Sequence, residues 1–234
     1  MSSYQALVLG SSGAIGQAWL AYFQADSACH RVVGLSRTGT PAFNLQDEQS
    51  IADCAASLCS DSESNGSGQF QWIIDATGAL TIDGIGPEKR IDALNAQHLR
   101  KQFDINAIGP ALLIKHFSPL LVKNERVVYA TLSARVGSIE DNYKGGWYGY
   151  RAAKAARNML LQTAAIELSR KRPLAVFAAL QPGTVQSRLS SPFVASDQTM
   201  AARDSVSKLM AVLKDLPATG RAHFVDHAGQ QIPW

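Results

Sequence analysis

What this 234-residue chain lacks narrows its class before any motif is read. There are only three cysteines, Cys29, Cys54 and Cys59, an odd number with no CxxC pair. That excludes a disulfide framework and a cysteine zinc site; no bound metal is expected, and the thiols fit a reducing, cytoplasmic setting. Long apolar runs are missing too. The opening MSSYQALVLGSSG has no basic start and breaks at Gly10, far short of the ~20 residues of a membrane helix, so neither a signal peptide nor a membrane association is expected. Charged residues make up 18% of the chain and the net charge is +3, with the basic side chains scattered rather than gathered in a stripe. Nucleic acid is therefore not expected as a partner.

What is present suffices for a core: 46% of residues are apolar, enough for one domain spanning residues 1–234. Short apolar runs at Ala6–Gly10, Arg31–Ser36, Gln71–Gly78, Arg126–Ser133, Pro173–Gly183 and Ala222–Asp226 read as strands. Amphipathic stretches at Ala14–Gln24, at residues 47–59, from Leu94 to Leu121 and from about Trp147 to Lys171 read as helices. Pro87 and Glu88 suit a helix start, and SDSESNGSG (Ser60–Gly68) reads as a polar loop. Continuous apolar strands alternating with helices predict an α/β fold of Rossmann type, a doubly wound parallel sheet with helices on both faces.

The first strand runs into GSSGAIG (Gly10–Gly16). Glycines there let backbone approach a pyrophosphate that the helix N-terminus favours, although tight strand-to-helix packing alone would also require them. No acidic residue occurs from Ser27 through Gln46. An NAD site places one near the end of the second strand, whereas this chain has Ser36-Arg37, a hydroxyl and a guanidinium suited to a 2′-phosphate. NADP(H) is therefore expected in preference to NAD(H).

In YGYRAAKAARN (Tyr148–Asn158), Tyr150 and Lys154 are four apart and share one helix face, while Tyr148 points elsewhere. A nearby ammonium is expected to bring the phenol toward neutrality for proton exchange, which would make the pair a general acid/base. The YxxxK spacing is weak alone, since a packed tyrosine beside a solvated lysine has the same letters.

Order gives it weight. The glycine turn, DATG (Asp75–Gly78), Asn106 in FDINAIGP, Ser133 in ATLSARVGS, Tyr150 with Lys154, and Pro182-Gly183-Thr184-Val185 follow one another along nearly the whole chain. In this sequence of motifs the chain resembles the short-chain dehydrogenase/reductase family. GGWYGYRAAKAA and the closing GRAHFVDHAGQQIPW look most like its C-factor-like branch. The resemblance counts the strands closed by DATG, Ser133 and Pro182 as fourth, fifth and sixth.

It implies an NADPH-dependent carbonyl reductase, or alcohol dehydrogenase in reverse, acting on a small carbonyl or alcohol. Tyr150 would exchange the proton, Lys154 would lower its pKa and contact the nicotinamide ribose, Ser133 would orient the carbonyl, and Asn106 would hold a relay water through its backbone. Ser138 is a rival for Ser133 but does not directly follow the strand. Cofactor contacts are implied for Gly10, Ser12, Gly13, Ile15, Gly16, Ser36, Arg37, Asn44, Leu45, Ala76, Thr77, Gly78, Tyr150, Lys154, Pro182, Gly183 and Val185. Departures are Ala14 for a usual glycine, Asp75-Ala76 for a common asparagine pair, Asn44 for an aspartate, and Ser187 for a threonine. A substrate lid is expected at about 186–205, with Phe193, Trp147 and Tyr148 lining either the pocket or a subunit contact. A homodimer or homotetramer is the family's habit. An alternative is a non-catalytic NADP(H)-binding sensor or signalling protein on the same fold.

Overall fold

The computed structural model describes residues 3–65, 69–187 and 195–234. Its strands are β1 (Tyr4–Leu9), β2 (Cys29–Leu35), β3 (Trp72–Asp75), β4 (Val127–Leu132), β5 (Ala175–Gln181) and β6 (Ala222–Asp226). They form one parallel sheet in the order β2-β1-β3-β4-β5-β6. Its helices are α1 (Ala14–Ala25), α2 (Glu48–Asn65), α3 (Ala96–Phe103), α4 (Gly109–Phe117), α5 (Tyr148–Ser169) and α6 (Ala202–Asp215). The order reverses across β1, which has β2 on one side and β3 on the other, so a crevice opens at the carboxyl ends of β1 and β3.

Alternation along each strand makes two cores. Leu7 and Leu9 of β1 face α2, α4 and α5, packing with Ile51, Leu58, Leu113, Phe117 and Leu161. Ala6 and Val8 face α1 and α6, packing with Trp19, Phe23, Val206, Leu209 and Leu213. The two buried faces of the central strands β1, β3, β4 and β5 explain why their runs are largely apolar, whereas the edge strand β2 is half-buried and carries His30 and Arg31.

Several expectations change. α2 runs to Asn65, into the stretch read as a loop, because no glycine or proline stops it before Gly66. Pro87 and Glu88 do not start a helix; α3 begins at Ala96, where the Asn95 side chain accepts from the Gln97 and His98 N–H groups. α6 was not anticipated, although Val206, Leu209, Met210 and Leu213 have helical spacing and are all buried. It absorbs residues 202–205 of the expected lid, and Ser205 Oγ donates to Pro182 O at 2.7 Å. Strand numbering shifts as well. The chain passes from β2 through α2 to β3, so DATG, Ser133 and Pro182 follow the third, fourth and fifth strands among the described residues.

The long helical segment is interrupted. Residues Asp104–Ile108 form a wide π-turn, with Gly109 N–H reaching back to Asp104 O, and Asn106 sits inside it. Such a turn releases carbonyls from the regular ladder and often marks a site.

Candidate active site

The crevice begins at the glycine turn. Gly10 has φ +82°, and a Cβ there would lie 3.0 Å from the Ala76 backbone. A Cβ on Gly16 would stand 2.2 Å from Gly10 O, so this glycine is required by packing alone. Gly13 differs: it is exposed, caps α1 at φ −76° and ψ 160°, and a Cβ would meet only Gly10 O, at 3.6 Å. No side chain caps α1 and no acidic residue lies in its first turn, so its N–H groups fit a phosphate. Ser12 is exposed beside Gly13, and Ile15 is half-buried.

Two substitutions separate packing from binding. Gly16→Ala should destabilise the fold by about 1–3 kcal/mol through overpacking. Gly13→Ala should melt like the parent yet weaken NADPH binding about tenfold or more by filling the approach to the helix N-terminus. Thermal melting and fluorescence titration read the two effects.

Next to the turn, Gly10 N and Ser11 N donate to Leu35 O at the end of β2. Ser36 is buried there, and Arg37 is exposed with no ion pair among the described residues. Asn44 spends its side-chain oxygen on Gln46 N, at 3.1 Å. Leu45 packs where a Cβ on Gly109 would come within 2.6 Å. In β3's closing loop Thr77 is buried, with Oγ1 donating to Asp75 Oδ1 at 2.5 Å. Gly78, at φ +137°, is a junction: a Cβ there would lie 3.0 Å from Asn106 Oδ1 and 3.2 Å from Lys154 Nζ. Ala76 and Gly78 thus lie between the glycine turn and the tyrosine-lysine helix.

The proton-bearing groups are buried together. Tyr150, Lys154, Asn106 and Ser133 are 7%, 2%, 0% and 4% exposed, and Lys154 Nζ stands 5.5 Å from the Tyr150 ring centre. Lys154 Nζ donates to Leu132 O at 2.9 Å. Asn106 uses its whole amide, accepting from Ala79 N at 3.0 Å and donating to Ala79 O and Gln102 Oε1. Ser133 Oγ donates to Asn158 Oδ1 at 2.6 Å. Ser138 is engaged elsewhere, with Asp141 N and Trp234 O.

The electrostatics overturn one expectation. Burial pushes the Tyr150 phenol up to about 12, with Arg157 pulling it the other way. Burial and then Arg157 hold the Lys154 ammonium well below its ordinary range, with Asp75 opposing. The lysine therefore does not bring the tyrosine toward neutrality in the free protein, because desolvation disfavours both charged forms.

Tyr150 is set by a strained entry to α5. Gly145, Gly146 and Trp147 are all left-handed, Trp147 at φ 55°. For a tryptophan that conformation costs about 1–2 kcal/mol. Glu88 holds it, its backbone oxygen accepting from Trp147 N and its carboxylate from Gly149 N at 3.0 Å. Trp147 meets the Tyr150 ring edge-on at 6.2 Å and walls the site, whereas Tyr148 is exposed. Phe193 lies outside the described residues. At the far edge Gly183 has φ +79° under the His227 ring, and Val185 is buried where Met200 N bonds Thr184 O and Gln186 N bonds Met200 O.

Sequence reasoning missed Glu88, Arg157 and Asn158. Arg157 and Asn158 were visible in principle, being seven and eight residues beyond Tyr150 on the same face. Glu88 had no local signal. No metal-like cluster of His, Cys, Asp or Glu occurs among the described residues, and no helix there is long and apolar enough to cross a membrane.

The chain is similar to several known proteins. The C-signal protein of Myxococcus xanthus is 34% identical over 137 residues, covering 58% of this chain and 78% of the relative. The 1-hydroxy-2-glutathionyl-2-methyl-3-butene dehydrogenase of a Rhodococcus species is 27% identical over 197 residues, 84% of this chain and 80% of that one. Among solved structures, the NADPH-bound carbonyl reductase from chicken fatty liver superposes over 100% of both chains with a TM-score of 0.83 at 21% identity, a likeness of fold. The sequence pattern of the short chain dehydrogenases matches residues 5–198, and the chain belongs to that family of oxidoreductases.

Proposed function

We propose that the protein is an NADP(H)-dependent carbonyl reductase, or alcohol dehydrogenase in reverse, with Tyr150 as general acid/base. The observation that carries this reading is the convergence of buried Tyr150, Lys154, Ser133 and Asn106 at the carboxyl edge of the sheet, across Gly78 from an uncapped helix N-terminus. Bound NADP(H) would supply or take back the hydride, held by the Gly10–Gly16 turn, Ser36, Arg37 and the loops at Ala76–Gly78 and Pro182–Val185.

The chain's own residues do the rest. Burial keeps the proton on Tyr150 at working pH, so it can be given to a carbonyl oxygen as that oxygen gains charge. Ser133 meets the same oxygen once its proton turns from Asn158, and adds a hydrogen bond to the developing alkoxide. Trp147 excludes water from one side. The NADPH-bound state of the chicken carbonyl reductase supports the cofactor choice.

The test is to follow NADPH absorbance with a panel of aldehydes, ketones and quinones. Turnover of at least one carbonyl is expected. Arg37→Ala should weaken NADPH by about tenfold or more and leave NADH unchanged, as one lost charged phosphate contact requires. Equal binding of both cofactors to the parent would overturn the preference. The second reading, a binding or signalling protein without turnover, is favoured by the likeness to the C-signal protein; tight NADPH binding with no oxidation on the whole panel would select it.

We also propose self-association. Met159, Leu160 and Ile166 leave apolar surface exposed along α5, and a dimer or tetramer is expected in sedimentation analysis.

A further inference from the structure

Beneath the proposed acid/base pair lies a charge that its chemistry has not used. Arg157 is 1% exposed, three residues beyond Lys154 on α5. Its Nε donates to Thr131 Oγ1 at 2.7 Å, its Nη1 to Thr77 O at 3.0 Å, and its Nη2 to Asp75 Oδ2 and Thr131 Oγ1. Thr131 Oγ1 in turn donates to Asp75 Oδ2 at 2.8 Å, and Thr77 N and Oγ1 donate to Asp75 Oδ1. The guanidinium is thus fixed by β3, β4 and the loop after β3. The same Gly78 Cβ position that lies 3.2 Å from Lys154 Nζ lies 3.7 Å from Arg157 Nη1, so the two nitrogens are no farther apart than those distances together.

We propose that Arg157 is a positioning residue: anchored by Asp75, it places a permanent buried charge beside Lys154, so that Lys154 gives up its proton toward Tyr150 more readily than it would beside a neutral side chain. This rests on the reading that places Lys154 on the proton path to Tyr150. The two cations then divide the work. Arg157, which does not deprotonate, stabilises negative charge left on Tyr150 when its proton goes to the carbonyl oxygen. Lys154 releases one proton toward Tyr150 and regains one from solvent, so the proton count closes over each turnover.

The groups facing this pair are few. Asp75 comes from β3, Tyr129 and Thr131 from β4, Asn106 from the π-turn, and Arg157 from α5 itself; Glu88 and His98 pack at the α5 entry. Asp75 is the only carboxylate bonded to the guanidinium among the described residues, and it occupies the place where the family commonly has asparagine. The acidic replacement and the buried arginine explain each other. Their effects at Lys154 are opposed, Arg157 lowering its pKa more strongly than Asp75 raises it.

The experiment is a carbon-13 lysine NMR titration of the ligand-free protein, with the Lys154 resonance identified by its loss in Lys154→Met. Arg157→Met alone strands Asp75, so the deciding variant is Asp75→Asn/Arg157→Met, checked for a parental circular dichroism spectrum. Its Lys154 midpoint should rise by about one pH unit or more. Should the panel yield a substrate, for example phenanthrenequinone, the pH limb of kcat should move upward with it. A midpoint unmoved in the folded double variant overturns the proposal whether or not any carbonyl turns over. Turnover surviving Tyr150→Phe would overturn the acid/base reading and leave the lysine result standing.

Discussion

Tyr150→Phe should reduce kcat by about 10²–10⁴-fold, the usual value of a positioned proton donor, while leaving NADPH binding within about twofold. The ring is buried edge-on to Trp147 and the hydroxyl loses no structural partner in the exchange, so the fold should hold. A second signature follows from the phenol's raised pKa. Below the unfolded value near 10 the phenol is neutral in both states. As pH rises from about 10 to 12, the unfolded chain ionises while the folded one resists, and stability falls by about 1.4 kcal/mol for each pH step of one. Phenylalanine cannot ionise, so the variant should lose less stability than the parent across that alkaline window in urea titrations. Activity and alkaline stability unchanged together would mean that Tyr150 is neither the acid nor buried as described.

The elements that carried this site were legible to different degrees, and the reasons are physical. Strand ends were readable because a strand covered on both faces must be apolar until it leaves the sheet, which placed Ser133 and Asp75–Gly78 at the crevice. The Tyr150–Lys154 pair was readable because helical periodicity puts residues four apart on one face. Burial was not readable, and it reversed the expected direction of the tyrosine's pKa. Equally hidden was the partner of each buried polar group. Glu88 lies 61 positions before Gly149 and Asp75 lies 82 before Arg157, and only the folded sheet joins them. α6 shows a third kind of failure: its apolar spacing was present, but the preceding turn-rich run masked where the loop ended.

Breaking the Asp75–Arg157 pair should produce the largest stability loss of any single substitution near the site. Both side chains are 1% exposed, and the charge left behind would have neither water nor a counterion. Removing one member of such a pair costs about 3–5 kcal/mol, against a total stability of about 5–15 kcal/mol for a typical domain. Arg157→Met should therefore lower the urea midpoint sharply. Asp75→Asn/Arg157→Met should recover most of the loss, because an asparagine oxygen can still accept from Thr77 N and Oγ1 and no charge remains stranded. The recovery separates desolvation of a lone carboxylate from loss of the arginine's packing, since both variants lack the same guanidinium. If the single variant lost under about 1 kcal/mol, water would have to reach Asp75, and the buried anchor for Lys154's neighbour would be absent. If the double variant were no better than the single, the arginine would act as a packing element. The expected order is parent, double and then single.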